Sequence, residues 1–329
     1  MQTSTPSMPD ANTALILHLQ RLSTEDGPGI RTTIFFKGCP LHCWWCHNPE
    51  SISPHSQVQW LETRCIGCET CLEVCPNSAL TRQENGEIFL DRVKCRGCGV
   101  CAEACPSTAL ELLGEQVTLD ELLAELLKDR AYFAASGGGV TASGGEPTLQ
   151  ASFVAQLFDR LQAGGVHTAL DTSGACSLAA LESILLHTDL VLYDLKLMND
   201  VHHRRVTGQG NQRILDNLVS IIKLIQKNNL STRLWIRTPL IPGITDQVGN
   251  LDAIGGFLHT DLDGEVERWE LCAFNNLCQD KYRRLGLAWA FANRPLMTQL
   301  ELDRCEAAAK ASPFDADRIW VTGAAKVEQ

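Results

Sequence analysis

Cysteine spacing is the most informative chemical feature of this sequence. Of its 15 cysteines, all but four lie in three tight groups between Cys39 and Cys105. Thiols at such short spacings are typical of metal binding or catalysis. An isolated cysteine behaves as a small buried apolar side chain, so we expect the remaining four to be packing residues. They are Cys176, Cys272, Cys278 and Cys305.

Two of the three groups repeat the pattern C-x2-C-x2-C-x3-C-P, at residues 65–76 and 95–106. Three cysteines at this spacing can surround one iron–sulfur cubane while the fourth points to a second one. Structural zinc is the alternative, but zinc sites favour two separated pairs of ligands. The repeat therefore predicts two [4Fe-4S] clusters with crossed ligation, one held by Cys65, Cys68, Cys71 and Cys105 and the other by Cys95, Cys98, Cys101 and Cys75.

The first group, C-x3-C-x2-C at Cys39, Cys43 and Cys46, has only three cysteines. Three thiolates leave one iron of a cubane without a protein ligand, and an open metal position is where a small molecule can bind. His47 is the alternative fourth ligand, although a residue adjacent to Cys46 would have difficulty reaching the far corner of the same cubane. The sequence thus predicts a third [4Fe-4S] cluster that acts as a reaction centre.

Short β-rich segments alternate with helical patterns along the rest of the chain, which indicates an α/β fold with a parallel sheet. Apolar residues recur at helical spacing, for example after the capping-box sequence Thr118-x-x-Glu121 and over residues 211–228. Six βα units are too few for a closed eight-stranded barrel, so we expect a partial (β/α)6 barrel with its chemistry at the carboxyl ends of the strands. The predicted strands are 32–36, 139–143, 167–171, 190–195, 233–238 and 266–272.

Both four-cysteine groups fall within residues 60–113, which interrupt the first strand-to-helix connection. We therefore predict a bacterial-ferredoxin-like insert over residues 60–113 in a barrel formed by residues 13–59 and 114–329, with a flexible tail over residues 1–12. The insert would lie beside the three-cysteine loop. That arrangement suits electron transfer between them.

Polar or metal-binding motifs follow four of the predicted strands. The three-cysteine group follows the first strand, Gly144-Gly145-Glu146 follows the second, residues 171–174 follow the third, and Asp194-Leu195-Lys196 ends the fourth. Because the carboxyl ends of parallel strands meet at one rim, these segments define a single site.

Together these motifs resemble those of the radical S-adenosylmethionine (SAM) enzymes that activate glycyl radical enzymes. The resemblance spans nearly the whole chain, and the ferredoxin-type insert is similar to that of the larger branch of the family. It rests on Asp26-Gly27-Pro28-Gly29-Ile30-Arg31, Gly38-Cys39-Pro40 with Cys43, Trp45-Cys46-His47-Asn48-Pro49-Glu50 and Ser143-Gly144-Gly145-Glu146-Pro147.

The resemblance implies a radical SAM fold and an oxidoreductase reaction. The amino and carboxylate groups of SAM would bind the open iron of the three-cysteine cluster, and one electron from the reduced cluster would break a carbon–sulfur bond homolytically. The resulting 5′-deoxyadenosyl radical would take a hydrogen atom from the α-carbon of one glycine in a partner enzyme. The implied partners are a glycyl radical enzyme as protein substrate and an external one-electron donor such as flavodoxin or ferredoxin.

The resemblance also implies residue roles. Gly144, Gly145 and Glu146 match the motif that receives the methionine ammonium, and Trp45 matches an aromatic residue that lies against the adenine. The full set of residues expected to contact SAM is Trp45, His47, Gly144, Gly145, Glu146, Ser173, Asp194, Leu195, Lys196, Arg237 and Asn275. Many relatives carry a histidine where this chain has Asn275, which can form hydrogen bonds but cannot be charged.

Two further roles have alternatives. Asp26 matches an acidic residue that meets the glycine loop of the partner, while the alternative is an Asp-Gly-Pro-Gly turn that only shapes the backbone. Asp171, Thr172 and Asp194 resemble a monovalent-cation site, while the alternative is ordinary capping of strand ends.

Charge and hydropathy narrow the range of partners. With 28 Lys and Arg against 39 Asp and Glu, the net charge of −11 argues against binding to nucleic acid. A mean hydropathy of −0.06 and the lack of an apolar run near the ~20 residues of a membrane span argue against membrane insertion. The polar first twelve residues do not resemble a signal peptide, so we expect a cytoplasmic protein. We also expect a monomer.

Two other functions fit parts of the sequence. The first is a radical SAM enzyme that acts on a small molecule, which residues 26–31 and the Cys-His-Asn-Pro-Glu continuation disfavour. The second is a non-catalytic electron-transfer subunit. The three-cysteine group disfavours it, because a pure relay has no use for an open iron.

Overall fold

The computed structural model describes residues 12–262 and 264–326. The predicted tail, apart from Asn12, lies outside the described residues. The strands are, in chain order, β1 (Thr13–Ser23), β2 (Arg31–Phe36), β3 (Gln57–Trp60), β4 (Leu80–Arg82), β5 (Ile88–Leu90), β6 (Leu110–Leu113), β7 (Glu115–Thr118), β8 (Gly139–Gly144), β9 (His167–Thr172), β10 (Leu190–Asp194), β11 (Arg233–Leu240), β12 (Arg268–Ala273) and β13 (Ile319–Thr322).

Helices connect most of these strands. Their bounds are α1 (Thr70–Val74), α2 (Val100–Glu103), α3 (Leu119–Leu126), α4 (Arg130–Ser136), α5 (Ala151–Ala163), α6 (Leu178–Leu185), α7 (Asp200–Thr207), α8 (Gln212–Asn228), α9 (Val248–Asp261), α10 (Gln279–Arg284) and α11 (Gln299–Lys310). The capping box predicted at Thr118 and Glu121 is present at the start of α3.

The barrel is a nine-stranded sheet in the order β13-β12-β11-β10-β9-β8-β2-β1-β7. The run from β2 to β13 is parallel, while β1 and β7 pair antiparallel at the other end. Because β7 and β13 are the two ends of this order, the barrel is open, as predicted. All six predicted strands are present, with boundaries within two residues. The sequence prediction lacked β1, β7 and β13, and the last is a four-residue edge strand too short to show a clear pattern.

A continuous apolar core lies between the sheet and its helices. It includes the predicted helical stripe of α5, in which Phe153, Val154, Leu157 and Leu161 are fully or almost fully buried. α5 ends just before Gly164, as expected from the sequence. No helix of the described residues is long and apolar enough to cross a membrane.

The cysteine-rich segment begins and ends on a two-stranded antiparallel sheet, in which β3 pairs with β6 from Gln57 opposite Leu113 to Trp60 opposite Leu110. Between them lie α1, the hairpin of β4 and β5, and α2. A small separate core forms around Val58, Leu80, Ile88 and Leu110, and six of the eight insert cysteines lie in it or pack against it. This segment leaves the barrel after β2 and returns to it at β7.

Candidate active site

A cavity of about 460 Å³ opens at the carboxyl ends of the parallel strands, a volume typical of small-molecule sites. The residues that line it come from segments far apart in the sequence. The predicted site residues among them are Cys39, Cys43, Trp45, Cys46, His47, Gly144, Gly145, Ser173, Asp194, Lys196, Arg237 and Asn275. The fold therefore brings most of the predicted site together.

The loop that carries the first three cysteines is fixed from two sides. The amides of Gly38 and Cys39 donate to the carbonyls of Ser51 (2.7 Å) and Ile52 (3.0 Å). Two further backbone hydrogen bonds join the middle of the loop to the last turn of α7. The cysteines thus stand on a rigid turn rather than on a free loop.

Burial raises the pKa of the Cys39 thiol to about 12 and raises the pKa values of Cys43 and Cys46 as well. A buried thiol of this kind is neutral unless a cation compensates the thiolate, as iron does. Neighbouring thiol charges raise the pKa values of Cys39 and Cys46 further, which indicates that the three groups converge. This donor set fits an iron–sulfur cluster.

The Gly144-Gly145-Glu146 segment packs tightly against the start of the cysteine loop. The amides of Gly145 and Glu146 donate to the carbonyls of Phe36 (2.9 Å) and Gly38 (2.7 Å). A Cβ atom at Gly145 would lie 2.2 Å from the Gly38 carbonyl oxygen. The resemblance implies that this motif receives the methionine ammonium, whereas in the structure it is the neighbouring backbone that leaves no room for a side chain at Gly145.

The Glu146 side chain is fully buried and lies behind the cavity wall. Its Oε1 accepts hydrogen bonds from the hydroxyls of Thr148 and Thr172 (both 2.7 Å), and its Oε2 accepts from the amide (2.9 Å) and hydroxyl (2.6 Å) of Ser173. Leu195 is likewise buried, in the apolar core. The structure thus assigns Glu146 to the support of Ser173 rather than to the surface of the cavity.

Three ion pairs lie at the floor of the cavity. Lys196 Nζ lies 2.6 Å from Asp194 Oδ2, and Arg237 lies 3.7 Å from Asp171 Oδ1 and 3.5 Å from Glu270 Oε2. Burial would lower the pKa of Lys196, but the Asp194 carboxylate and the nearby thiols outweigh it, so that this pKa stands above its usual value. Two cations are therefore held on the floor, beside the cysteines and the acidic groups.

The Asp171 carboxyl group has an unusual environment. Burial raises its pKa to about 7, Asp194 and Asp26 act in the same direction, and Arg237 opposes them. Its Oδ2 accepts a 2.6 Å hydrogen bond from Ser143 Oγ. A carboxylate here is poorly compensated, which is a property expected of a group that meets a cation.

Trp45, His47 and Asn275 form one side of the cavity. Trp45 is 5% exposed, and His47 Nε2 lies 3.1 Å from the backbone carbonyl of Asn275. The Asn275 side chain accepts a hydrogen bond from the Leu277 amide (3.2 Å) and so caps its own turn. The link between His47 and residue 275 therefore involves the backbone and does not require a particular side chain there.

Asp26 lies near the cavity but does not line it. Its Oδ2 accepts hydrogen bonds from Ser23 Oγ (2.7 Å) and Thr33 Oγ1 (2.6 Å), and its carbonyl accepts one from Thr141 Oγ1 (2.8 Å). These contacts hold the turn in the way that the alternative interpretation of Asp26 requires. Its adjacent residue Glu25 lines the cavity instead.

Sequence reasoning missed several residues. Cys176, Cys278 and Cys305 are buried as expected, but Cys272 lines the cavity, so its assignment to packing was wrong. α10 was also missed. Its Tyr282 donates a hydrogen bond to the Cys46 carbonyl (2.9 Å), a contact across more than 230 residues for which the sequence carries no local signal.

The eight cysteines of the insert form two groups, each around its own small cavity. One cavity is lined by Cys65, Cys68, Cys71 and Cys105 and the other by Cys75, Cys95, Cys98 and Cys101, which are the sets expected from crossed ligation. Backbone amides donate to three of the sulfur atoms, those of Cys75, Cys95 and Cys105. Such hydrogen bonds stabilise thiolates and tune the potentials of clusters.

A cubane and a single zinc ion require different spacings of these thiols. Among the described residues, no three His, Cys, Asp or Glu side chains stand close enough together to share one metal ion. The thiolates around a cubane bind different irons and therefore stand farther apart than the ligands of a single ion. Both insert sites thus fit clusters better than single ions.

Comparison with known proteins agrees with this chemistry. Residues 64–110 match the 4Fe-4S dicluster domain family, and residues 92–251 match the radical SAM superfamily. The iron–sulfur and SAM chemistry predicted from the motifs is thereby confirmed.

Relatives of known function align over most of the chain. It is 37% identical to the (2S)-3-sulfopropanediol dehydratase activating enzyme of Klebsiella oxytoca over 85% of this chain and 87% of that one. It is 36% identical to the trans-4-hydroxy-L-proline dehydratase activating enzyme of Clostridioides difficile over 92% and 97%. It is 39% identical to the benzylsuccinate synthase activating enzyme of Thauera aromatica over 84% and 83%. Since identities of this size extend over both chains, the protein belongs to the glycyl radical enzyme activating enzymes of the radical SAM superfamily.

Proposed function

We propose that this protein cleaves SAM reductively in the 460 Å³ cavity and takes a hydrogen atom from one glycine α-carbon of a partner glycyl radical enzyme. The observation that carries the proposal is the convergence on one cavity of the three-cysteine loop with polar and charged residues from the ends of the neighbouring strands. A radical made there would lie at the open end of the barrel, where a peptide could approach it.

Three [4Fe-4S] clusters fit the three groups of thiols. Cys39, Cys43 and Cys46 would hold the one in the cavity, which when bound supplies one electron to SAM at an iron that has no protein ligand. The two groups of the insert would hold the others, with the crossed ligand sets given above. Cys272 is not a fourth ligand in this proposal: Arg237 and Glu270 are the charged groups that act most strongly on the pKa of its thiol.

The residues of the chain hold SAM in a defined orientation. Trp45 offers an aromatic face for the adenine, and Lys196 and Arg237 offer cations for its carboxylate and for the polar edge of its ribose. Asp194 and Glu270 hold these two cations in position through ion pairs. The side chains of Glu146 and Leu195 act from behind the wall, and Glu146 orients Ser173 toward the ligand.

The partner's glycine loop would enter at the open side of the barrel. The edge strand β13 contributes Thr322 to the cavity lining, and Glu25 lines the same cavity. Asp26, whose carboxylate braces the adjacent turn, would accept a backbone N–H of the loop. A closed barrel would leave no lateral room for such a peptide.

Other assignments complete the proposal. Asp171, Thr172 and Asp194 would bind a monovalent cation, which would compensate the buried Asp171 carboxylate. An external one-electron donor of the flavodoxin or ferredoxin class would reduce the insert. We also propose that the protein is a monomer and that it works in the reducing cytoplasm, where its many thiols stay available as ligands. Its two domains are a barrel (residues 13–59 and 114–329) and an insert (residues 60–113).

Isotope transfer tests the function directly. A partner glycyl radical enzyme produced with α-deuterated glycine is mixed anaerobically with the reconstituted protein, SAM and a strong reductant. We expect deuterium in the 5′-deoxyadenosine and a glycyl radical in the electron paramagnetic resonance (EPR) spectrum, with neither in Cys46→Ala. Formation of unlabelled 5′-deoxyadenosine without a glycyl radical would favour a small-molecule substrate instead.

A further inference from the structure

We propose that α10 and the residue that follows it, Leu285, act as a strut between two iron–sulfur sites. At one end Tyr282 and Lys281 hold the loop of the catalytic cysteines. At the other end Arg92 holds the insert site that we call the Cys95 group, which consists of Cys75, Cys95, Cys98 and Cys101. Tyr282, Lys281 and Arg92 are positioning residues. The inference rests on the proposed function for what each cysteine group binds, but the contacts themselves belong to the protein.

The catalytic end of the strut begins at Tyr282. Its hydroxyl donates a 2.9 Å hydrogen bond to the carbonyl of Cys46, the third cysteine of the loop. Tyr282 is 8% exposed, and its ring stacks on Trp289 at 5.5 Å between centroids with 22° between the planes. The orientation of the tyrosine is thus set by packing, and the hydrogen bond transmits that orientation to Cys46.

Lys281 reinforces this end through three contacts. Its Nζ lies 2.8 Å from Glu50 Oε1 and donates to Asn48 Oδ1 (2.9 Å) and to the carbonyl of His47 (3.1 Å). All three partners lie within the five residues that follow Cys46. One cation therefore gathers the segment that closes the catalytic loop.

The insert end of the strut is Arg92, three residues before Cys95. Its guanidinium group donates to the carbonyl of Leu285 (2.9 Å) and to that of Val58 (2.6 Å). Burial lowers the pKa of Arg92, and the Cys95 thiol opposes this shift. A single planar side chain thus links the insert, its base strand β3 and the strut.

A second contact brings the Cys95 group against the barrel side of the chain. A Cβ atom at Gly97 would lie only 2.0 Å from the carbonyl oxygen of Ser56, the residue before β3. Gly97 also has φ +63°, which a glycine adopts freely. The loop of Cys95 to Cys98 therefore packs directly on the backbone that leaves the barrel.

The other insert site, which we call the Cys65 group and which consists of Cys65, Cys68, Cys71 and Cys105, has different neighbours. Arg64, which immediately precedes Cys65, pairs with Glu111 at 2.6 Å, and Arg82 pairs with Glu69 at 2.8 Å. All four of these residues belong to the insert itself. The contacts of Arg92 and Gly97 therefore place the Cys95 group next to the barrel. In this proposal the Cys65 group is the outer site, where an external one-electron donor would bind.

Hydrogen exchange on the fully loaded protein tests the strut, with Arg92→Met compared with the matched control Arg64→Met. Loss of a hydrogen bond to a charged group corresponds to about 10-fold or more in an opening equilibrium. We expect amide exchange over residues 43–50, which Arg92 does not contact, to rise about 3- to 10-fold in Arg92→Met and to stay within 2-fold in Arg64→Met. Tyr282→Phe, which keeps the ring, should raise exchange in the same residues.

The magnetic interaction between reduced clusters is the second measurement. We expect Arg92→Met to alter the EPR broadening that the Cys95 group causes at the catalytic site, and Arg64→Met to leave it unchanged. Equal effects of the two variants, or no effect of Arg92→Met on residues 43–50, would overturn the strut. A protein that shows these effects but forms no glycyl radical would instead overturn the proposed function, because the exchange measurement does not depend on catalysis.

Discussion

Glu146→Gln should destabilise the protein and displace Ser173, although Glu146 itself does not line the cavity. The buried carboxylate accepts hydrogen bonds from two backbone amides, those of Thr148 (3.3 Å) and Ser173 (2.9 Å), besides three hydroxyl groups. Glutamine has one acceptor oxygen, so its NH2 group must face one of these N–H groups. A hydroxyl can rotate to accept a hydrogen bond, but an amide cannot. One buried N–H is therefore left without an acceptor.

The loss of stability can be calculated from this buried N–H group that has no acceptor. An unsatisfied buried donor costs about 1–3 kcal/mol, which in a chain of this size corresponds to a fall in Tm of roughly 2–10 °C. Because Ser173 lines the cavity, its displacement should also weaken SAM binding. Scanning calorimetry and titration calorimetry of the loaded protein measure the two effects.

A matched substitution separates support from contact. Glu121→Gln changes an exposed carboxylate in the capping box of α3, so it should cost about 1 kcal/mol or less and leave SAM binding unchanged. If Glu146→Gln abolished SAM binding with an unchanged Tm, Glu146 would have to contact SAM directly. An indirect role of Glu146 through Ser173 would then be refuted.

Four further predictions concern the clusters and the acidic groups. Reconstituted protein should hold about 12 iron and 12 sulfide per chain, and saturation near 4 would contradict the insert sites. Cys46→Ala should abolish 5′-deoxyadenosine formation, whereas Cys68→Ala or Cys98→Ala should mainly slow it. In these two insert variants a strong chemical reductant should restore the rate. If the rate did not recover although the catalytic cluster was intact, the insert would have a structural role. Asp26→Asn keeps an acceptor for the turn, so iron content and uncoupled SAM cleavage should stay near wild type, while the glycyl radical yield measured by EPR falls. Equal loss of SAM cleavage and of radical yield would make Asp26 purely structural. The pKa of Asp171 is raised from 3.8 to about 7, so its contribution to stability is full below about pH 4 and is lost as the pH rises to about 7, by at most about 1.4 kcal/mol per pH unit. Asp171→Asn should flatten this dependence of stability on pH, measured by thermal melts of the cofactor-free protein. An unchanged dependence would contradict the raised pKa.

The cysteine sites were predictable because their ligands are local in the sequence. Spacings of two or three residues already separate the three-cysteine group from the two four-cysteine groups, and the crossed sets around Cys75 and Cys105 follow from the same spacing. The parallel strands were predictable for a similar reason, since continuous apolar segments between helical patterns need no knowledge of distant partners. The edge strand β13 lacked such a pattern and was missed.

Tertiary structure alone decided which side chains face the cavity. Glu146 belongs to a recognisable motif, yet its carboxylate turns away from the cavity because Thr148, Thr172 and Ser173 supply enough donors to satisfy a buried charge. No spacing rule reveals this, since Thr172 and Ser173 lie more than 25 residues from Glu146 and meet it only when β8 and β9 pair.

The contacts of α10 were even less predictable from the sequence than those of Glu146. Cys46 and Tyr282 are separated by 236 residues, and Arg92 and Leu285 by 193. Each contact is a hydrogen bond to a backbone carbonyl, which every residue type possesses, so the sequence holds no complementary pair to find. Thus the sequence by itself determined which atoms can bind iron, because thiolate chemistry belongs to residue type and local spacing. Only the folded chain decided how those atoms are held relative to one another, because that depends on which distant backbone groups the packing brings within hydrogen-bond distance.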